Sequence, residues 1–253
     1  MRTLFISIVS HNSLADLLNN FSSFPKKTKS FIINISIIDN LAQLDVKNWC
    51  ENEKISYFSD GILRGYGANH NMNFNLLSPK RDDFFLVLNP DVFINRDNFD
   101  NLLINAVNVR SDIYGVKVYE SIDKKLFSSH NRSYPGIIDP LISLIFKIKL
   151  YENEIDLLSN PDWIGGAFML FKADSYKKIK GFDENFFMYY EDIDICLRAN
   201  KLGMKITYNP KFHIIHIAKR EGRNLLSKNF FYNLKSYARF FLKNPTCKLI
   251  SIK

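Results

Sequence analysis

The feature that most constrains this chain is an alternation. Short, almost wholly apolar runs trade places with segments of helical periodicity across about the first 120 residues. Thr3–Val9 is a β-rich run bounded by polar residues, which predicts a strand. Leu14, Leu17, Leu18 and Phe21 then recur at helical spacing. Phe31–Ile38 predicts the next strand, Leu41, Leu44 and Trp49 a helical crossover, and Ile55–Phe58 a third strand. Gly65-Tyr66-Gly67-Ala68-Asn69 turns into another helix, Phe84–Leu88 is an unbroken apolar strand, Leu102, Leu103, Ala106 and Val107 mark a helix, and Ile113–Tyr119 is a fifth strand.

This pattern predicts βαβ units and an α/β fold with a mostly parallel central sheet. Strands this apolar need helices over both faces. Ligands of such sheets bind at the carboxyl ends of the strands. Those ends carry Ser10-His11-Asn12, Asp39-Asn40, Asp60-Gly61 and Asn89-Pro90-Asp91, so polar residues stand where a ligand belongs. The second half is less regular. Leu141–Tyr151 is apolar with Lys147 and Lys149 interleaved. Ala167–Phe171 predicts a strand, Ala173–Ile179 and Asp192–Lys201 helices, Ile206–Tyr208 a strand, and His213–Ile217 an extended run. From Glu221 the chain is basic and aromatic.

With 46% hydrophobic residues in 253, the chain can bury a sizeable core, which excludes disorder as its main description. The excess of 34 basic over 26 acidic side chains asks for an anionic partner: nucleotide phosphates, nucleic acid or an acidic membrane face. Cys50, Cys196 and Cys247 are scattered, with no close pair for a zinc knuckle or a disulfide framework, which fits a reducing cytoplasm. No apolar run reaches the roughly 18–20 residues that span a bilayer. Leu4–Val9 is too short for a signal-peptide core.

Several segments carry two readings each. Asn89-Pro90-Asp91 is a strand-ending turn, or it supplies a carboxylate for Mg²⁺ or Mn²⁺, which prefer oxygen ligands. Glu191, Asp192 and Asp194 at a helix start compensate the helix dipole, or one of them, partly desolvated by Phe186, Phe187, Tyr189 and Tyr190, is a general base. His213 and His216 are core histidines, or one completes a metal site. Asp39 is a turn residue, or accepts the imide N–H of uracil or thymine. The Gly65–Asn69 turn is a weak phosphate-loop candidate, because His70 occupies the place of the third glycine of a dinucleotide-binding fingerprint.

As a set, these segments are more specific than any one. In chain order come His11-Asn12, Asp39-Asn40, the Gly65–Asn69 turn, Asn89-Pro90-Asp91, Trp163–Phe168, Gly181–Phe186, Tyr189–Arg198 and a late histidine. The set resembles the inverting nucleotide-sugar transferases of glycosyltransferase family 2, which have the GT-A fold. It is most similar to bacterial rhamnosyltransferases of O-antigen and related polysaccharides, over Ile6 to about His216. The resemblance implies a GT-A domain over 1–220, with a nucleotide-binding half to about 120, an acceptor-binding half over about 121–220, and a basic helical extension over 221–253. It implies a Mn²⁺ or Mg²⁺ site at Asp91 and His216, with Asn89 replacing the first Asp of the family's metal motif. Asp192 is implied as base with Glu191 beside it, and the 24 residues from Asp192 to His216 suit base and metal ligand in that family. Ser10, His11, Asn12, Asp39, Asn69, Asn89 and Asp91 are implied on the donor side, and Trp163, Gly165 and Gly166 on the acceptor side. The expected donor is dTDP-rhamnose, with another hexose on UDP as the alternative, and the expected acceptor is a lipid-linked saccharide.

Two rivals fare worse. A sugar nucleotidyltransferase needs a glycine-rich basic loop after the first strand, where this chain reads Ser10-His11-Asn12-Ser13. A nucleic-acid module needs clustered basic residues in a known pattern, whereas here they are spread out except in the tail. In that tail Phe230, Leu234, Tyr237 and Phe241 predict one apolar helical stripe, flanked by Lys228, Lys235, Arg239 and Lys243. The stripe packs on the domain or docks on the anionic inner face of a membrane.

Overall fold

A computed structural model describes residues 1–124, 126–128, 133–139, 157–217 and 227–245. The expected segment Leu141–Tyr151, and the tail outside 227–245, lie outside these residues. The elements run β1 (Arg2–Ser10), α1 (Leu14–Phe21), β2 (Phe31–Asp39), α2 (Leu44–Glu53), β3 (Ser56–Phe58), α3 (Tyr66–Leu77), β4 (Phe84–Leu88), β5 (Val92–Ile94), α4 (Phe99–Asn108), β6 (Ile113–Tyr119), β7 (Phe127–Ser128), β8 (Phe168–Lys172), α5 (Ala173–Ile179), α6 (Glu191–Lys201), β9 (Ile206–His216) and α7 (Lys228–Lys243).

The sheet order is β3-β2-β1-β4-β8-β6-β9-β5, with β7 on β6. β1, β2, β3 and β4 pair in parallel, as the alternation predicts. β8 enters antiparallel between β4 and β6, which makes the sheet mixed. β9 runs parallel to β6, and its pairing shifts between Val116 and Lys117, from partner Asn209 to partner His213. Pro210 sits in that interval and has no N–H for a ladder, so a bulge is where a strand can carry it. What reads as a strand plus a separate extended run is therefore one bulged strand.

Two apolar clusters cover the two faces. One packs α1, α2 and α4 on β1 and β2 through Leu17, Phe21, Trp49 and Leu102. The other joins α5, α6 and α7 through Tyr176, Ile195, Phe240 and Phe241. α7 therefore belongs to the domain. Its Ser236 Oγ donates to Met188 O at 2.8 Å, and the Tyr190 ring lies against Tyr237, Phe240 and Phe241. The expected stripe is corrected accordingly. Tyr237 and Phe241 face the domain, while Phe231, Leu234 and Leu242 are more than half exposed.

Charge locks the same junction. Asp194 is buried, and its carboxylate takes Arg198 Nε at 2.7 Å and Lys243 Nζ at 2.6 Å. Removing one partner of a buried pair costs about 3–5 kcal/mol, because the charges left behind lack compensation. Asp194→Ala should therefore lower the melting temperature by roughly 6 °C or more. A calorimetric melt checks this, and an unchanged Tm would show that the junction carries no load.

Candidate active site

The antiparallel pairing of β5 with β9 sets Val92 opposite His216. Asp91, one residue before β5, is thereby brought beside an imidazole far along the chain. His216 Nε2 stands 3.2 Å from Asp91 Oδ1, and the Asn89 side-chain amide is 3.2 Å from the same nitrogen. This separation tests whether a cation fits. Neighbouring ligands of an octahedral ion with bonds of about 2.1 Å are about 3.0 Å apart, so this oxygen and nitrogen suit one ion. Among the described residues no cluster of three or more His, Cys, Asp or Glu could hold a metal. Asp91 and His216 are thus a pair and not a larger cluster.

The three carboxylates at the start of α6 have three different environments. Asp194 is the ion-paired one described above. Glu191 is buried, its Oε2 has no protein partner, and burial followed by the charge of Asp192 pushes its carboxyl up to about 8. It is thus mostly neutral at pH 7. Asp192 is partly exposed. Its Oδ2 accepts from Gly166 N at 3.0 Å, and its Oδ1 from Ile193 N at 2.9 Å. Of Glu191 and Asp192, Asp192 is the one suited to take a proton at neutral pH. Tyr189 and Tyr190 enter the helix with φ of 68° and 65°, a left-handed conformation that non-glycine residues adopt at some expense of energy.

One residue that sequence reasoning missed lies between the two sets. Tyr66 Oη stands 2.8 Å from Asn89 Oδ1 and 2.9 Å from Gly166 O. Burial, then the charges of Glu191, Asp192 and Asp91, raise its pKa well above the ordinary tyrosine value, so the hydroxyl keeps its proton. Gly65 makes the placement possible. A Cβ there would meet Phe187 O at 2.5 Å, so only glycine lets the start of α3 press on the segment leading to Asp192.

Of the residues expected on the donor side, Ser10, His11, Asn12 and Asp39 gather at the ends of β1 and β2. Ser10 pairs with Asp39, and Asn40 N donates to Ser10 O. Asp39 is 1% exposed and accepts from Leu41 N, Gln43 N and Tyr57 Oη. His11 and Asn12 are exposed beside it, and Gln43 Nε2 reaches Asn12 Oδ1 at 3.3 Å. The buried atoms Ser10 Oγ and Gln43 Oε1 have no protein partner, which marks this end of the sheet as able to take further hydrogen bonds. Asn69 stands apart. It is fully buried and donates to Asn40 Oδ1 and Arg64 O, so it ties the loop over residues 59–65 instead of facing outward.

On the acceptor side, Gly165 and Gly166 lead into β8, with Gly166 against Asp192. Trp163 sits behind them, 8% exposed, its Nε1 donating to Ser133 O.

The fold superposes on GalNAc-T7, solved with UDP, GalNAc and Mn²⁺, at a TM-score of 0.69 and 12% identity, over 96% of this chain and 48% of that one. At that identity the likeness carries the fold alone, and this chain spans about half of the other. The fold so defined is the GT-A glycosyltransferase fold. Residues 147–220 match the family described as the N-terminal domain of galactosyltransferase. The chain is also 30% identical over 251 residues to rhamnosyltransferase WbbL of Escherichia coli K12, covering 95% of this chain and 93% of that protein. It is 27% identical to the N-acetylglucosaminyl-diphospho-decaprenol L-rhamnosyltransferase of Mycobacterium tuberculosis, over 62% of this chain and 56% of that protein. The chain belongs to the rhamnosyltransferase-like glycosyltransferases that its motifs resemble.

Glu191 gives a stability prediction. Its folded pKa of about 8 lies above the ordinary carboxyl value of 4.5, so its contribution is fully present below pH 4.5 and is lost as pH rises through 8. Glu191→Gln should melt close to the parent at pH 4.5 and above it at pH 8.5, by at least about 3 °C. A gap that stays constant between these pH values would show that Glu191 ionises as freely folded as unfolded.

Proposed function

We propose that this glycosyltransferase moves a sugar, with inversion, from a nucleotide donor to a lipid-linked saccharide during surface-polysaccharide assembly. The observation that carries the reading is the 3.2 Å approach of Asp91 and His216 at the same end of the sheet as the hydrogen-bonded carboxylate of Asp192. The activity named for WbbL supports rhamnose as the sugar, and dTDP-rhamnose is the donor that the motif resemblance implies. That of the mycobacterial relative supports a lipid diphosphate saccharide as acceptor.

Asp91 and His216 would hold Mn²⁺ or Mg²⁺, which when bound supplies positive charge to the departing nucleoside diphosphate. Asp39 and the loop through Asn12 receive the pyrimidine, with the Asp39 carboxylate as acceptor for its imide N–H. Asp192 takes the proton of the acceptor hydroxyl while that oxygen bonds to C1. The bond from C1 to the diphosphate oxygen breaks with its electron pair leaving on the diphosphate, and a single displacement inverts the anomeric centre. Neutral Glu191 spares the base a neighbouring charge.

These roles separate in kinetics. Asp192→Asn should bind dTDP with MnCl₂ like the parent and lower kcat by about 10²–10⁴-fold on a synthetic N-acetylglucosaminyl-diphospho-lipid. A larger loss from Glu191→Gln than from Asp192→Asn would reassign the base. Asp91→Ala, or excess EDTA, should abolish Mn²⁺-dependent dTDP binding in calorimetry. GDP at the same concentration should fail to displace dTDP, and efficient displacement would remove Asp39 from base recognition.

Docking at the inner face of the membrane belongs to the same reading, although no described helix is long and apolar enough to cross one. Phe231, Leu234 and Leu242 form an exposed line on α7, with Lys228 and Lys235 on the same helix. Such a face binds anionic lipid at about 1 kcal/mol per basic residue. The protein should float with anionic vesicles at low salt and sink at high salt. Leu234→Glu/Leu242→Glu should abolish flotation without lowering Tm. Equal behaviour with neutral and anionic vesicles would remove the docking role.

A further inference from the structure

We infer that Tyr66 is a positioning residue whose hydroxyl couples the metal side of the site to the base side. The inference rests on the roles proposed above for Asp91, His216 and Asp192. The end of β4 and the start of β8 are neighbours in the sheet, with Leu88 opposite Phe168 and Asn89 N donating to Ala167 O at 3.2 Å. Beyond that last pair the strands separate into Asn89 and Gly166, and no further ladder bond holds those residues together. Tyr66 Oη fills the gap, at 2.8 Å from Asn89 Oδ1 and 2.9 Å from Gly166 O.

Each contact leads on to a reacting group. The amide of Asn89 lies 3.2 Å from His216 Nε2, the nitrogen that faces Asp91. Gly166 presents its carbonyl to Tyr66 and its own N–H to Asp192 Oδ2. One phenol thus touches both a residue packed against the nitrogen that would hold the cation and the residue whose N–H orients the base. Turning the Asn89 amide end for end reverses its donor and acceptor but leaves all three groups linked.

The phenol is itself held from below. The Tyr66 ring meets His70 edge-on at a centroid distance of 4.4 Å. His70 is fully buried, and desolvation lowers its pKa to about 3, so the ring is neutral. Ser7 Oγ accepts from Asn73 Nδ2 at 2.8 Å and lies 2.7 Å from His70 Nδ1, which fixes the imidazole from one side. His70 Nε2, on the other side, is buried and has no hydrogen-bond partner in the protein. Held in this way, the imidazole backs the Tyr66 ring at van der Waals distance and limits where its hydroxyl can point.

The Tyr66→Phe variant removes one hydroxyl and keeps the ring. With the coupling role, its Tm stays within a few degrees of the parent, while the Kd for dTDP in MnCl₂ rises about tenfold and kcat on the synthetic lipid acceptor at saturating Mn²⁺ and donor falls ten- to a hundredfold. A phenol that only supports the fold would lower Tm and leave kcat per folded molecule, and the Kd, unchanged; that result overturns the proposal. Asn89→Ala cuts one branch without touching the ring. It should weaken Mn²⁺–dTDP binding, and Tyr66→Phe added to it should cause no further weakening but a further fall in kcat through Gly166. Additive losses of affinity overturn the proposal, and should Tyr66→Phe not fold, a Mn²⁺–dTDP affinity of Asn89→Ala equal to the parent's does so. Asp91→Ala and Asp192→Asn run beside these as controls. If they transfer sugar like the parent, the site assignment itself has failed; if they are impaired while Tyr66→Phe binds and turns over normally, only the coupling through Tyr66 has failed.

Discussion

The structure depends on a helix that buries amides. α3 turns Asn69, Asn71 and Asn73 inward, all at 9% exposure or less. Each bonds backbone or side-chain groups of a neighbouring segment. Asn69 ties Asn40 to the carbonyl of Arg64, and Asn71 bonds both Phe182 N and Phe182 O and receives Tyr176 Oη. Asn73 joins Ser7 to Ser36 across two parallel strands. Irregular segments can be drawn into a protein only when their polar groups are satisfied. α3 meets that condition for the loops on either side of the site, and so it carries Tyr66 at its first turn to a defined place.

This arrangement explains what could be read from the chain and what could not. The parallel half was legible because buried strands are near-continuous apolar runs, as in Phe84–Leu88 and Ile113–Tyr119. β5 was not legible, because three residues after a turn carry no periodicity. Yet β5 is the element that brings Asp91 to His216. The residues Asp91, His216, Asp192 and Gly166 were all legible as a set of motifs, and the structure brings them into two neighbouring groups. Tyr66 was invisible for a physical reason. An aromatic in a glycine-flanked turn looks the same whether its hydroxyl is idle or bonded to two strands. Asn69, expected on the donor side from its place after such a turn, is buried and donates its amide N–H groups to Asn40 and Arg64.

The tail shows the same limit on periodicity. A stripe at spacings of four and three residues locates an apolar face but does not say what it meets. On α7 the deciding partner is Tyr190, whose ring needs Tyr237, Phe240 and Phe241 around it. The helix is rotated to supply them. Leu234 of the first pattern is then left outward, together with Phe231 and Leu242, which that pattern did not include.

The left-handed pair Tyr189-Tyr190 makes the aim of Asp192 depend on a distant helix. Two adjacent non-glycine residues at positive φ do not hold that shape alone. Tyr190 keeps it because its ring is clamped by α7, and Met188 before it is fixed by Ser236. α7 follows every other described element in the chain. The helix that clamps the Tyr190 ring also holds the main chain that leads into Asp192, so a substitution in α7 that frees that ring reaches the carboxylate through the backbone and not through its side-chain bonds.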